Sequence, residues 1–363
     1  MNDDLTKLKE QFTPKPKPFK VLENKREFGA ARFSPCGRFL FAAGYDGQVH
    51  RWDSSGDEFN EIAPALGGHN GWVQDVAFDA AAPAVYSVDT WGRLSRWDYA
   101  ALGEQPQPKW SVETAHDGWI TSVAVSPDGQ LVATGGLDRA VRVWSAADGT
   151  KRHEFLAQPD DVLQVAFHPD GKSLVSGDLK GIVKLWDLAS GQSTRQFDAS
   201  VLYKLDRLQD VGGARCLAFN ADGSLLFVAG TKPVNGGNVQ GTPTVLAFDW
   251  AGGTVKHTLE LGQAGDVYVC DLRFHSAGFL MAAISGNPGT GKLIFRRLDD
   301  KEAFFTHTAI ANCHSLSLHP NGSRLAVAGT NGGSNGNGKV VDKDGEYKGN
   351  WSPIHILDLP KPE

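Results

Sequence analysis

Cysteine is scarce: there are four in 363 residues, Cys36, Cys216, Cys270 and Cys313, and no CxxC pair among them. That spacing signals neither a zinc site nor a disulfide framework, and it implies reduced, mostly buried thiols. Charge of one sign is equally short. Lys and Arg total 36 against 42 Asp and Glu, a formal net charge of -6, and no basic run exceeds a pair. Nothing in this balance calls for nucleic acid or an anionic membrane. Long apolar runs are missing too, so no membrane insertion is expected. The opening MNDDLTKLKEQF carries acids where a secretory leader would be basic, and no apolar stretch follows. A cytoplasmic location is the expectation.

What the chain has is glycine, 42 of them, and repetition. The stretches GAARFSPCGRFLFAAGYDGQVHRWD (29–53), QDVAFDAAAPAVYSVDTWGRLSRWD (74–98), TSVAVSPDGQLVATGGLDRAVRVWS (121–145) and LQVAFHPDGKSLVSGDLKGIVKLWD (163–187) share one pattern. Each gives an apolar strand, a Pro/Asp/Gly turn, a second apolar strand, another turn and a third strand closed by tryptophan. The tryptophans, Trp52, Trp97, Trp144 and Trp186, recur at the period of propeller blades, roughly 40–45 residues. Three weaker copies follow at 214–250, 269–299 and 313–360, with Phe248, no aromatic, and Leu357-Asp358 at the closing position.

On these seven copies the chain resembles the WD-repeat family. The resemblance implies an all-β, seven-bladed propeller occupying residues 19–360 after a tail and Pro/Lys linker (1–18). The blades would fall near 25–60, 69–105, 116–152, 158–197, 211–258, 265–304 and 310–360, with 19–23 added to the last. Phe19–Glu23 would form the outer strand of the seventh blade and close the ring, which removes an exposed sheet edge. The family's hydrogen-bonded tetrad of His, Ser/Thr, Asp and Trp maps completely onto blade three alone, as His116, Thr134, Asp138 and Trp144. Blade two keeps His69, Ser87 and Trp97 but has Trp91 at the Asp position. Blade one keeps Asp46 and Trp52, and blade four keeps Ser176 and Trp186 with Lys180 in place of Asp. Blade three is therefore expected to be the stiffest.

Three motifs imitate catalytic ones. GNPGTGKL (286–293) has Leu293 where a phosphate loop needs Ser or Thr, and strands rather than a helix flank it. GGSNG (332–336) lacks the helix of a nucleophile elbow. Asp342, Asp344 and Glu346 alternate like calcium ligands without the closing glutamate. No catalytic set, metal site or cofactor is expected.

Partner contacts are expected instead on the face carrying the loops between blades and those joining second and third strands, called the top. Trp72 and Trp119 lie just before first strands, and Tyr45, Trp91, Leu137 and Leu179 lie in turns before third strands. Family relatives, including β subunits of heterotrimeric G proteins, are similar in using positions like Trp72, Trp119 and Leu137 for contacts. Clustered surface aromatics have the composition of an interface; the alternative is that they plug the rim between blades. Blades five to seven insert longer segments, 231–244, 285–292 and 330–353, expected to form a polar lip with Tyr347 and Trp351 as its apolar exceptions. Leu5, Leu8 and Phe12 would share one side of a short N-terminal helix. The expected function is a non-enzymatic scaffold binding one or more proteins or peptides. The alternative is a propeller enzyme, such as a hydrolase or lactonase-like one, or a small-molecule or peptide binder, using the central channel mouth and the long loops of blades five to seven.

Overall fold

The computed structural model describes residues 6–7, 10, 16–100, 106–156, 158–235, 239–286, 289–331, 340–341 and 347–360. Seven four-stranded antiparallel sheets are arranged as the blades of a propeller. Blade one runs Phe28–Phe33, Phe39–Gly44, Val49–Asp53 and Asn60–Glu61, from the channel outward. Blades two to six repeat the meander, their inner strands being Val73–Phe78, Ile120–Val125, Val162–Phe167, Cys216–Phe219 and Tyr268–His275.

Blade seven is assembled from both ends of the chain. Ser315–Leu318, Arg324–Ala328 and Ile354–Asp358 are completed by Lys17–Leu22, which pairs antiparallel with the last of them. The N-terminal strand thus closes the ring, as the repeat pattern implies. The seam beside it is packed like the others: Leu22, Phe28, Trp52, Ala326, Ile354 and Ile356 form one buried cluster.

Second strands such as FLFAAG (39–44) and AVYSVD (84–89) are buried along their whole length. Each has a neighbouring blade on both faces, so these strands run apolar instead of alternating. The closing tryptophan of a blade sits in the seam with the preceding blade: Trp97 against Phe39 and Phe41, Trp144 against Tyr86, Trp186 against Phe155. Its register partner is always a buried residue of the second strand, as in Val85↔Trp97 and Leu226↔Phe248. In blade six that register holds Arg296, opposite Leu280. Its guanidinium donates to the carbonyls of Glu260 in blade five (2.7 Å) and Asp300 (2.9 Å), a polar plug where an indole stands in blades one to four.

In blade three the first turn is held by a glycine whose place admits no side chain. Gly129 has φ 71°, and a Cβ there would meet the Asp79 carboxylate of the previous blade at 2.6 Å.

One of the expected loops is not a loop. In blade five, Leu225–Asn235 and Gln240–Asp249 stay paired as far as Asn235↔Gln240, so TKPVN and QGTPT extend the hairpin as a ribbon. Pro233 and Pro243 are tolerated because this extension is two-stranded and its outer sides need no donor. In blade six, Phe279–Ser285 and Gly291–Arg297 form the hairpin that the strands around GNPGTGK imply. Blade seven carries the short pair Val340–Val341 with Tyr347–Lys348. GGSNG, Asp342, Asp344, Glu346, Leu5, Leu8 and Phe12 lie outside the described residues. Among the described residues, no helix is long and apolar enough to cross a membrane.

Candidate functional site

The signature network of blade three forms as the sequence implies. Trp144 Nε1 donates to Thr134 Oγ1 (2.9 Å), which lies 2.8 Å from His116 Nε2, and His116 Nδ1 lies 2.8 Å from Asp138 Oδ1. A neutral imidazole protonated on Nδ1 satisfies every member: indole to hydroxyl, hydroxyl to Nε2, Nδ1–H to carboxylate. Burial indeed pushes His116 below the usual imidazole range. Hydrogen bonds from His116 and Arg142 hold Asp138 well below the usual carboxylate range, outweighing its burial.

Blade two corrects the sequence assignment. Its acid is Asp89, at the end of the second strand, not the residue at position 91. His69 Nδ1 meets Asp89 Oδ2 at 2.9 Å, His69 Nε2 meets Ser87 Oγ at 2.7 Å, and Trp97 Nε1 donates to Ser87 at 2.9 Å. Asp89 also accepts the amides of Asn70, Trp91 and Arg93, so the turn is wound around it. Blade three is therefore not alone in having a complete network. In blade four the acid is likewise Asp178 and not position 180, and Gln158 stands for histidine, accepting from Ser176 at 3.0 Å. Lys180 turns outward to Tyr203 Oη (3.1 Å) and Asp160 (3.3 Å).

These networks fix the loops that carry the aromatic side chains. In blades one to four, the residue just before the inner strand accepts, through its carbonyl, an amide of the turn before the third strand. The pairs are Glu27 with Tyr45, Trp72 with Thr90, Trp119 with Leu137 and Asp161 with Leu179, at 2.9–3.0 Å. Trp72 and Trp119 are therefore equivalent positions, flanked around the ring by Glu27 and Asp161. Trp72 stacks on Tyr45 with centroids 5.0 Å apart and planes 18° apart, and meets Trp119 edge-on at 6.1 Å. Trp91, one residue beyond the Thr90 position, is 68% exposed and borders the same groove of about 440 Å³ with Tyr45, Trp72 and Trp119. Trp72 and Trp119 remain 48% and 44% exposed, so about half of each stays open to solvent. Leu137 is exposed on the same arc and Leu179 half-buried. Trp351 lies apart, half-buried beside Asn24 and Lys25, its backbone paired with Asn331. Tyr347 sits in the short blade-seven pair.

The channel holds titratable groups that sequence reasoning did not assign. Arg32 lies 2.8 Å from Asp271 and 3.8 Å from Asp75, and Arg273 lies 3.2 Å from Asp271. Their work is structural. Asp75 accepts the Val123 amide (3.5 Å) and Asp271 the Leu316 amide (3.0 Å), each reaching the next blade's inner strand. Ser122, Ser315 and Ser317 do the same toward Val165, Ala31 and Phe33. In sequence these residues resemble ordinary polar members of a strand.

A second top-face feature was also missed. Tyr203–Asp206 and Gln209–Gly212 form a hairpin in the link between blades four and five. Its two turn residues, Arg207 and Leu208, have φ of 51° and 63°, and Leu208 is 95% exposed. Nothing like Asn-Gly marks the turn.

Fold and network define the class: this is a seven-bladed WD-repeat β-propeller. The family model described as WD domain, G-beta repeat, matches residues 23–53, 108–145 and 149–187, and the chain belongs to the WD-repeat proteins. It is 34% identical over 85 residues to Small ribosomal subunit protein RACK1y of Oryza sativa subsp. japonica, covering 23% of this chain and 24% of that protein. It is 31% identical over 116 residues to the Ribosome biogenesis protein WDR12 homolog of Chlamydomonas reinhardtii, 30% of this chain and 24% of the other. Pre-mRNA-splicing factor PRP46 of Yarrowia lipolytica is 38% identical over 55 residues, 13% of this chain and 12% of the other. The chain thus spans about a quarter of the length of the first two relatives it matches.

Proposed function

We propose that this propeller is a non-enzymatic platform, a scaffold or complex subunit that gathers a protein or peptide partner on the top face of blades one to four. The observation that carries the reading is the groove of Tyr45, Trp72, Trp91 and Trp119, in which Trp72 stacks on Tyr45 and meets Trp119 edge-on while the three indoles remain open to solvent. Exposed aromatics on a rigid base present large apolar area at little entropic cost, which is what an interface hot spot needs. The relatives' names, a ribosomal subunit protein, a ribosome biogenesis protein and a splicing factor, support a role as one member of an assembly. The channel's Arg32, Asp75 and Asp271 are spent on one another and on the next blade's amides, which weighs against their use in catalysis. The place of action is proposed to be the cytoplasm. Purification of wild type and a Trp72→Ala/Trp119→Ala form from the native cell tests the reading. A partner lost only from the variant supports it, and equal recovery from both counts against it.

A further inference from the structure

We infer that the partner enters this groove with a basic segment, Arg or Lys side chains flanking an apolar residue, an inference that rests on the top-face reading above. The geometry behind it is the arc of equivalent positions Glu27, Trp72, Trp119 and Asp161, in which two indoles are bracketed by two carboxylates. A third acid, Asp117, stands exposed two residues before Trp119. Among the described residues, none of these three carboxylates is bonded to a cation or a donor. The other acids of the region are engaged: Asp46 with His50, Asp160 with Lys180, Glu113 with Arg93. Arg139 lies within electrostatic reach of Asp161 and offsets part of its charge, yet burial still raises Asp161, and Glu27 likewise, above the usual carboxylate range. Both are half-buried, so they have given up some hydration without gaining a partner.

An incoming cation restores what these acids lack. An indole face also attracts Arg or Lys, and the aliphatic stem of either residue covers apolar ring surface while its head reaches a carboxylate. The same arc repels phosphate, so a nucleic acid or an anionic bilayer is the wrong complement. Blades five to seven do not continue the pattern. By strand register the equivalent places hold Gly213, Tyr268 and Asn312, none of them an acid, which confines a basic segment to blades one to four.

The test uses the full chain and three fluorescent peptides of about twelve residues that share evenly spaced leucines and differ in carrying Arg, Ser or Glu between them. Anisotropy titration should rank Arg well above Ser and Glu, with affinity falling about tenfold from low to high salt (~50 to ~300 mM). Replacing Glu27→Gln, Asp117→Asn and Asp161→Asn together should weaken the Arg peptide about fivefold to tenfold. These side chains hold nothing in the fold, so melting should not move. Equal binding of all three peptides, or no binding of any, overturns the inference. A cellular partner lost on Trp72→Ala/Trp119→Ala but kept by the triple carboxylate variant leaves the docking surface standing and removes the basic segment. A partner kept by both removes the top-face reading itself.

Discussion

Trp72 of blade two stacks on Tyr45 of blade one, their centroids 5.0 Å apart, so the seam between the two blades ends in paired rings at the top face. The stack holds Trp72 against the seam while 48% of it stays accessible. Beneath it, the Trp72 amide donates to Thr90 Oγ1 and the Thr90 amide to the Trp72 carbonyl, both at 3.0 Å. The ring is therefore presented by a backbone already ordered, and a partner loses little entropy in fixing it.

The acid of blade two is tested by substitution. Asp89→Asn keeps the shape but turns one oxygen into a donor facing the amides and imidazole that Asp89 now receives. The expected cost is about 2–4 kcal/mol by urea denaturation. Lys180→Ala, at the place where sequence alignment puts an acid in blade four, should cost far less, because its contacts are surface ones. Similar losses for the two would mean that Asp89 is not what holds the blade-two network together.

The pH dependence follows from His116. Its folded-state pKa is lowered by burial, so the native network favours the neutral ring. The stabilisation is fully present above the ordinary imidazole pKa, about 6.5, and is lost as pH falls from there through the folded-state value. Asp138, also lowered, stays charged across this window; its stabilisation is fully present above the ordinary carboxylate pKa, about 4, and is lost only in strong acid. Gln158 already does the histidine's work in blade four, so His116→Gln should fold. Stability measured between pH 8 and 5 should fall more steeply for wild type than for His116→Gln. Parallel curves would contradict the assignment.

Ring closure depends on the N-terminal strand. Deleting residues 1–24 removes Lys17–Leu22, exposes the edge of Ile354–Asp358 and uncovers the cluster containing Leu22, Phe28 and Trp52. The loss should be about 3 kcal/mol or more, with a lowered and less cooperative thermal transition. An unchanged melting temperature would mean that the strand does not close the ring.

The hairpin turn at Arg207–Leu208 offers the opposite effect. Both residues adopt the left-handed region that costs a side-chain-bearing residue about 1 kcal/mol or more, and Leu208 gains no burial in return. Arg207→Asn with Leu208→Gly should raise stability by about 1 kcal/mol in chemical denaturation. A loss of stability would show that the native residues make contacts which offset the backbone cost.

The ring, its closure and the aromatic groove were legible in sequence because each rests on a repeated spacing. Trp72 and Trp119 announce themselves by standing at one place in successive copies. The acids of blades two and four were not legible, since Asp89 and Asp178 reach their networks from the strand end while the family pattern draws the eye two residues further. The inter-blade staples from Asp75, Ser122, Asp271 and Ser315 were hidden for another reason: alternation shows that a residue is polar, not that it meets an amide of the next blade. The blade-five ribbon was misread as a loop because Pro and Gly usually end strands, and here they lie in a two-stranded extension. The hairpin at 203–212 carries none of the residues that normally mark its turn.

The central claim is that the Tyr45–Trp72–Trp119 groove is where the partner is held. Its most direct measurement is the affinity of the partner recovered from the native cell, titrated against wild type and Trp72→Ala by calorimetry, with melting curves recorded in parallel. The account predicts a loss of about 2 kcal/mol or more, roughly thirtyfold in Kd, with melting nearly unchanged. An unchanged Kd at equal stability would place the partner elsewhere on the ring.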